Sequence, residues 1–125
     1  MSGDLVSAWR ELSSRHSRVS CALERALQER HGLGRSEFEV LDRLGERFKP
    51  RMQELAEEMY LSQSALSRVV ARLERDGLVE RLLCAEDRRG IYVDLTDAGR
   101  ARLEAARPTQ HEVLEAHLSP ARTPG

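Results

Sequence analysis

Ser62-Gln63-Ser64-Ala65-Leu66-Ser67-Arg68-Val69-Val70-Ala71-Arg72-Leu73-Glu74-Arg75-Asp76 is the stretch whose reading decides the fold. Leu66, Val69, Val70 and Leu73 recur three, one and three residues apart, which sets them on a single apolar stripe of a helix. Ser62 is a ready N-cap, because its hydroxyl can accept an otherwise orphaned amide of the first turn. Asp76-Gly77 is a stop, glycine supplying the left-handed terminus. Immediately before this stretch, Met52, Leu55, Ala56 and Met59 line one face of a shorter helix, and Tyr60-Leu61-Ser62 leaves room only for a tight turn. Two short helices joined in this way form a helix-turn-helix.

The other face of the second helix carries Gln63, Ser64, Ser67, Arg68 and Arg72. Short hydrogen-bonding side chains and forked cations suit the base edges and phosphates of a major groove. Taken alone, such a face is equally well a solvated helix surface. The residues that follow favour the groove. Leu78 to Leu83 reads as a strand, Ala85 to Gly90 as a polar turn, and Ile91 to Leu95 as a second strand leading into Thr96-Asp97-Ala98-Gly99. A hairpin directly after such a helix is a wing. Its tip, Glu86-Asp87-Arg88-Arg89-Gly90, offers two guanidinium groups to a minor groove, whose narrow A·T segments attract arginine.

Leu61-Ser62-Gln63-Ser64-Ala65-Leu66-Ser67-Arg68, then Leu73-Glu74-Arg75-Asp76-Gly77-Leu78-Val79, then Asp87-Arg88-Arg89 with Val93-Asp94-Leu95-Thr96 and Gly99, together resemble the multiple antibiotic resistance regulator (MarR) family over about residues 5 to 107. The resemblance implies a mainly α fold with a small β-hairpin wing, a winged helix-turn-helix flanked by N- and C-terminal dimerisation helices. It also implies a homodimeric repressor of a pseudo-palindromic operator in double-stranded DNA, released by a small aromatic or phenolic effector or by oxidation. The DNA-binding residues so expected are Ser62, Gln63, Ser64, Ser67, Arg68, Arg72, Asp87, Arg88 and Arg89. Among the last two, the resemblance points to Arg88 as the inserted side chain, whereas the residues themselves leave the choice open.

A chain of 125 residues with 40% hydrophobic and 33% charged residues fits one helix-rich globular domain. The expected layout is a DNA-binding lobe over about 36–95, dimerisation helices over about 4–31 and 96–118, and a disordered tail over 119–125. No apolar run reaches transmembrane length and the first residues lack the plan of a signal peptide, so a cytoplasmic protein without membrane contact is expected. The net charge of -1 runs against nucleic-acid binding. By segment the objection weakens: residues 1–51 carry ten basic and eight acidic side chains, whereas 52–61 carry three acids and no base. Glu74, Asp76, Glu80, Glu86 and Asp87 dilute the presumed DNA face.

Leu5, Trp9, Leu12, His16, Val19, Leu23 and Ala26 alternate four and three residues apart, a heptad seam on a long first helix ending near His31-Gly32. A small monomer cannot bury the whole of such a seam. Leu5, Trp9, Leu12 and Val19, with Val113, Leu114 and Leu118 near the other end of the chain, are therefore the expected dimer contacts. His16 is either a packed interface histidine or a ligand or pH-sensing group. Ser36-Glu37-Phe38-Glu39 has the form of a capping box opening a second helix, with Phe38, Leu41 and Leu44 inward and Phe48-Lys49-Pro50 at its end. The family's effector pocket lies between the first two helices and the DNA-binding lobe. By resemblance, Trp9, Leu12, His16, Phe38 and Leu41 are the candidates for it, each with core or interface packing as the alternative.

Thr96 is the expected cap of a helix reaching about Arg107, where Pro108 is read as a break. Thr109-Gln110-His111-Glu112 then reads as a second capping box, opening a final helix of about three turns, shorter than the family's long last helix. Cys21 and Cys84 are too far apart in sequence for a close-spaced metal pair, and a cytoplasmic setting disfavours a disulfide. Oxidation sensing by Cys21 stays open as an alternative function. No cofactor, metal or enzymatic constellation stands out, since four scattered histidines and surface acids such as Glu57 and Glu58 form no motif. A further alternative is a shortened helix-turn-helix protein acting as an interaction or heterodimerising module.

Overall fold

The computed structural model describes residues 2–47, 49–84 and 87–118, with the backbone alone at Ser2, at Cys84 and over 87–89. The elements run α1 (Ser2–His31), α2 (Arg35–Glu46), α3 (Met52–Glu58), α4 (Gln63–Arg75), β1 (Val79–Cys84), β2 (Asp87–Leu95) and α5 (Asp97–Leu118). The fold is thus mainly α with one antiparallel hairpin, as expected. Phe48, Ala85, Glu86 and the 119–125 tail, to which parts of the sequence reading refer, lie outside the described residues.

One core unites these elements. Phe38, Val40, Leu41 and Leu44 of α2 meet Leu55, Ala56 and Met59 of α3, the α4 stripe, Val79, Val93 and Leu95 of the hairpin, and Leu103 and Ala106 of α5. Each large apolar side chain so buried stabilises the fold by about 1.5–3 kcal/mol relative to its exposed state. In the hairpin, Val79 opposes Leu95 and Arg81 opposes Val93, and Val79, Val93 and Leu95 of this face are buried. Leu83 opposes Ile91, but Cys84 opposes Asp87, so 88–90 have no opposite residue. The second strand therefore begins at Asp87, and Asp87, Arg88 and Arg89 belong to β2 rather than to a turn running to Gly90.

A third segment joins the hairpin, which the sequence reading does not anticipate. Arg51 bridges Tyr92 in antiparallel fashion, and the Val93 amide donates to the Pro50 carbonyl at 3.1 Å. The chain just ahead of α3 is thereby pinned to the wing.

Two local readings require correction. Helix α2 starts at Arg35, not after Ser36, and the reciprocal cap is made by Glu37, whose Oε1 accepts the Gly34 amide at 2.7 Å. The Arg35 amide donates to Glu24 of α1 at 2.6 Å, and Glu39, the presumed box partner of Ser36, pairs instead with Arg35 at 2.8 Å. The contact with α1 selects a start two residues earlier than the local pattern does.

The second correction concerns α5, which runs unbroken through Pro108. Proline removes one ladder hydrogen bond but fixes φ at a value a helix accepts, and packing against α1 offsets the loss. Ala106, Thr109 and Val113 recur on one buried face. Thr109 Oγ1 lies 2.7 Å from His31 Nε2, Arg102 donates to the His31 carbonyl at 3.0 Å, and Arg30 pairs with Glu112 at 2.8 Å. Thr109 is thus a buried partner of α1, not the cap of a separate last helix. Thr96 does cap α5, its Oγ1 accepting the Gly99 amide at 3.0 Å while donating to the Gly77 carbonyl at 2.6 Å.

Candidate nucleic-acid interface

Ser62 stands at the N-terminus of α4 in extended backbone, and its Oγ accepts the Ala65 amide at 3.1 Å with Ser64 Oγ 3.3 Å away. Leu66, Val69, Val70 and Leu73 are buried on one side of the helix. The opposite side is open: Ser62, Gln63, Ser64, Arg68 and Arg72 are exposed and Ser67 is half-buried. Arg68 and Arg72, four residues apart, share a face. The six α4-region residues expected from the sequence are therefore brought together on one accessible surface.

The acidic residues near this surface are partly engaged elsewhere. Glu74 Oε1 lies 3.3 Å from Arg81 Nε on β1, an ion pair without hydrogen-bond geometry. Arg47 pairs with Glu54 at 3.2 Å and also with Glu58.

The wing is held by Arg51, a residue the sequence reading overlooks. Its Nε donates to the Tyr92 hydroxyl at 3.2 Å and its guanidinium carbon lies 5.6 Å from the Tyr92 ring centroid. The Arg51 amide donates to Glu54 Oε1 at 3.1 Å. That backbone hydrogen bond, aided by Arg47, holds the Glu54 carboxyl below its ordinary pKa. The only local signal was Pro50, which fixes the backbone ahead of α3 without naming the strand it joins. Asp87, Arg88 and Arg89 lie on the β2 backbone beyond the last regular pair of the ladder.

The structure separates the five residues considered for an effector. Phe38 and Leu41 are fully buried in the core, whereas Trp9, Leu12 and His16 line an open groove of about 500 Å³ with Ser13 and Ser17 on the exposed part of α1. His16 Nε2 is 3.5 Å from Ser20 Oγ on the same helix. Residues 3–12 are all exposed, with Leu5 at 75%, Trp9 at 65% and Leu12 at 60% of their full surface. Val19 and Val113 are buried within the chain itself, Leu114 is half-buried and Leu118 exposed. Cys21 is a free, exposed thiol. Among the described residues no three His, Cys, Asp or Glu side chains are grouped for a metal, and no helix is long and apolar enough to cross a membrane.

A capped helix set behind a tight turn, its polar face open, followed by an antiparallel hairpin tied to a third strand segment, defines a winged helix-turn-helix protein. The chain belongs to the MarR family of winged-helix transcriptional regulators, whose model matches residues 33–91. Over 99% of its length it superposes with a TM-score of 0.90 and 30% identity on 79% of Sco3205, a MarR family transcriptional regulator from Streptomyces coelicolor solved in complex with DNA. AbsC, a MarR family regulator from the same organism, matches at 32% identity and a TM-score of 0.84, over 90% of this chain and 76% of that one. The homoprotocatechuate degradative operon repressor of Escherichia coli is 31% identical over 93 residues, 74% of this chain and 61% of that protein. This chain spans about half to three-fifths of the length of the curated relatives it matches.

Proposed function

We propose that this chain is a DNA-binding transcriptional repressor that acts as a homodimer on a pseudo-palindromic operator and is released by a small aromatic or phenolic effector. The observation that carries the reading is the exposed face of α4, where Gln63, Ser64, Arg68 and Arg72 stand clear of a fully buried stripe beside a capped N-terminus. In this reading Ser62 and Gln63 engage phosphate and base edges at the start of the helix, and Ser64 and Ser67 add shorter contacts. Arg68 reads a guanine through its bidentate fork while Arg72 grips phosphate. Arg88 or Arg89 enters the flanking minor groove, with Asp87 bracing whichever arginine points inward.

The lobe over about 36–95 does the reading, and α1 with α5 supplies the dimer. Leu5, Trp9 and Leu12 form an apolar edge that none of the described residues covers, and a second copy is the occupant that buries it, with Leu114 and Leu118 alongside. Val19 and Val113 are buried within the chain and leave the contact to the exposed residues. Two recognition helices then meet successive major grooves about 34 Å apart. The groove at Trp9, Leu12 and His16 is where an effector would act, favouring a lobe spacing that no longer fits the operator.

Light scattering on the pure protein, followed by a gel shift with fragments from its own upstream region at fixed salt, tests this reading. A dimer that retards one discrete palindromic fragment, and releases it on adding a phenolic compound, is the expected result. A monomer that retards no fragment would overturn it.

A further inference from the structure

Among the described residues, three helices are followed within two residues by one in the left-handed region, and of those Tyr60 is not glycine; Lys49, three residues beyond α2, is the other non-glycine with positive φ, at 45°. Gly32 follows α1 at φ 65°, Gly77 follows α4 at φ 76°, and Tyr60 follows α3 at φ 55°. The ends of α3 and α4 have the same hydrogen bonding. After α4, the Gly77 amide donates to the Glu74 carbonyl at 3.0 Å and the Leu78 amide to the Leu73 carbonyl at 2.9 Å. After α3, the Tyr60 amide donates to the Glu57 carbonyl at 3.2 Å and the Leu61 amide to the Ala56 carbonyl at 3.0 Å. This is the paired closure in which glycine is the favoured residue, because a side chain there meets the adjacent carbonyl. Tyrosine occupies the position at α3 with a backbone penalty that glycine avoids.

No described residue packs on the Tyr60 side chain to offset that penalty. Tyr60 is 95% exposed, so its ring adds no core contact. Its place is the turn of the helix-turn-helix, two residues before the capping Ser62 and beside the exposed Gln63 and Ser64. A long, rigid aromatic arm with a hydroxyl donor at its tip, carried on the leading edge of the reading surface, fits a phosphate oxygen: tyrosine hydroxyls are among the donors that fix a protein's register on a duplex without reading sequence.

We infer that Tyr60 is a DNA-backbone contact, its left-handed backbone aiming the phenol at a phosphate beside the one held at the start of α4. This rests on the DNA-binding reading above and adds to it a residue outside the α4 face and the wing. The contact is neutral, so it displaces no counterion and leaves no mark on the salt dependence of binding, unlike an arginine on phosphate.

The test compares wild type, Tyr60→Phe and Tyr60→Gly, with unfolding midpoints measured beside binding to the retarded upstream fragment and to a random-sequence duplex over a salt series. Tyr60→Phe is expected to weaken both DNAs alike, by about tenfold, with an unchanged salt slope. Tyr60→Gly is expected to lose at least as much affinity while unfolding at a higher midpoint, since the strain is relieved. Variants that bind both DNAs as tightly as wild type would overturn the Tyr60 contact alone. A loss confined to one sequence, or a shallower salt slope, would overturn it too. A wild-type protein that binds neither DNA would overturn the DNA-binding reading itself, and this inference with it.

Discussion

A Cβ placed on Gly99 would overlap the carbonyl of Leu78, the same carbonyl that receives the Thr96 amide at 3.1 Å. The start of α5 therefore lies directly on the chain that leaves α4 for the wing, and only a residue without a side chain fits between them. Gly99→Ala is expected to destabilise the protein by about 3 kcal/mol. Gly77→Ala, where the backbone is left-handed but the space is open, should lose only about 1 kcal/mol. Urea unfolding of the two variants checks the ranking, and equal losses would refute the close approach.

Pro108 provides a direct probe of the continuous α5. Inside a helix, proline forgoes a ladder bond and strains the preceding turn, so Pro108→Ala should stabilise the protein by roughly 1–3 kcal/mol. Were the helix broken there, with Pro108 beginning a new one, the substitution would bring no gain. Thermal unfolding followed by circular dichroism distinguishes the two.

On the proposed reading, Arg68 and Arg72 separate by the kind of DNA contact assigned to each. Arg68→Ala is expected to lose roughly 1–3 kcal/mol and to relax sequence preference at one position of each half-site. Arg72→Ala should weaken all DNA alike and lower the salt slope by about 1 per subunit, about 2 for the dimer. Binding measured against single-base operator variants over a salt series is the check.

The apolar edge of α1 leads to a prediction about assembly. Leu12→Glu puts a charge on a side chain that is exposed in the single chain, so the chain should still fold, with a lower melting point that no longer depends on protein concentration. The proposed dimer should fall to a monomer, as read by light scattering, with operator affinity lost together with it.

Glu54 governs one step of the pH dependence. Its carboxyl titrates below its ordinary value because the Arg51 amide and the Arg47 guanidinium favour the charged form. The stability this contributes is present above the unfolded-state pKa and is lost as pH falls through the folded one. Glu54→Gln should thus be less stable than wild type at neutral pH, and the gap should close on acidification. Urea midpoints taken from neutral to strongly acidic pH would show it.

The sequence by itself determined the parts built from near neighbours. The α4 stripe, the Ser62 cap, the Gly77 stop, the Thr96 cap and the hairpin are encoded within a few residues each, by the 3.6-residue period, capping oxygens and glycine at left-handed ends. The family resemblance rests on those same residues. Tertiary structure decided what joins distant segments. Local pattern read Ser36 as a cap, Pro108 as a break and Thr109 as a new start, but contacts with Glu24 and His31 of α1 outweigh those preferences. The pairing of Arg51 with Tyr92 left no periodic signal, since a one-residue bridge has no repeat to detect. Trp9, Leu12 and His16 parted from Phe38 and Leu41 for a related reason. An apolar residue announces that it will be buried, but not against what, and only the packed chain decides whether its cover comes from its own core or from a second copy.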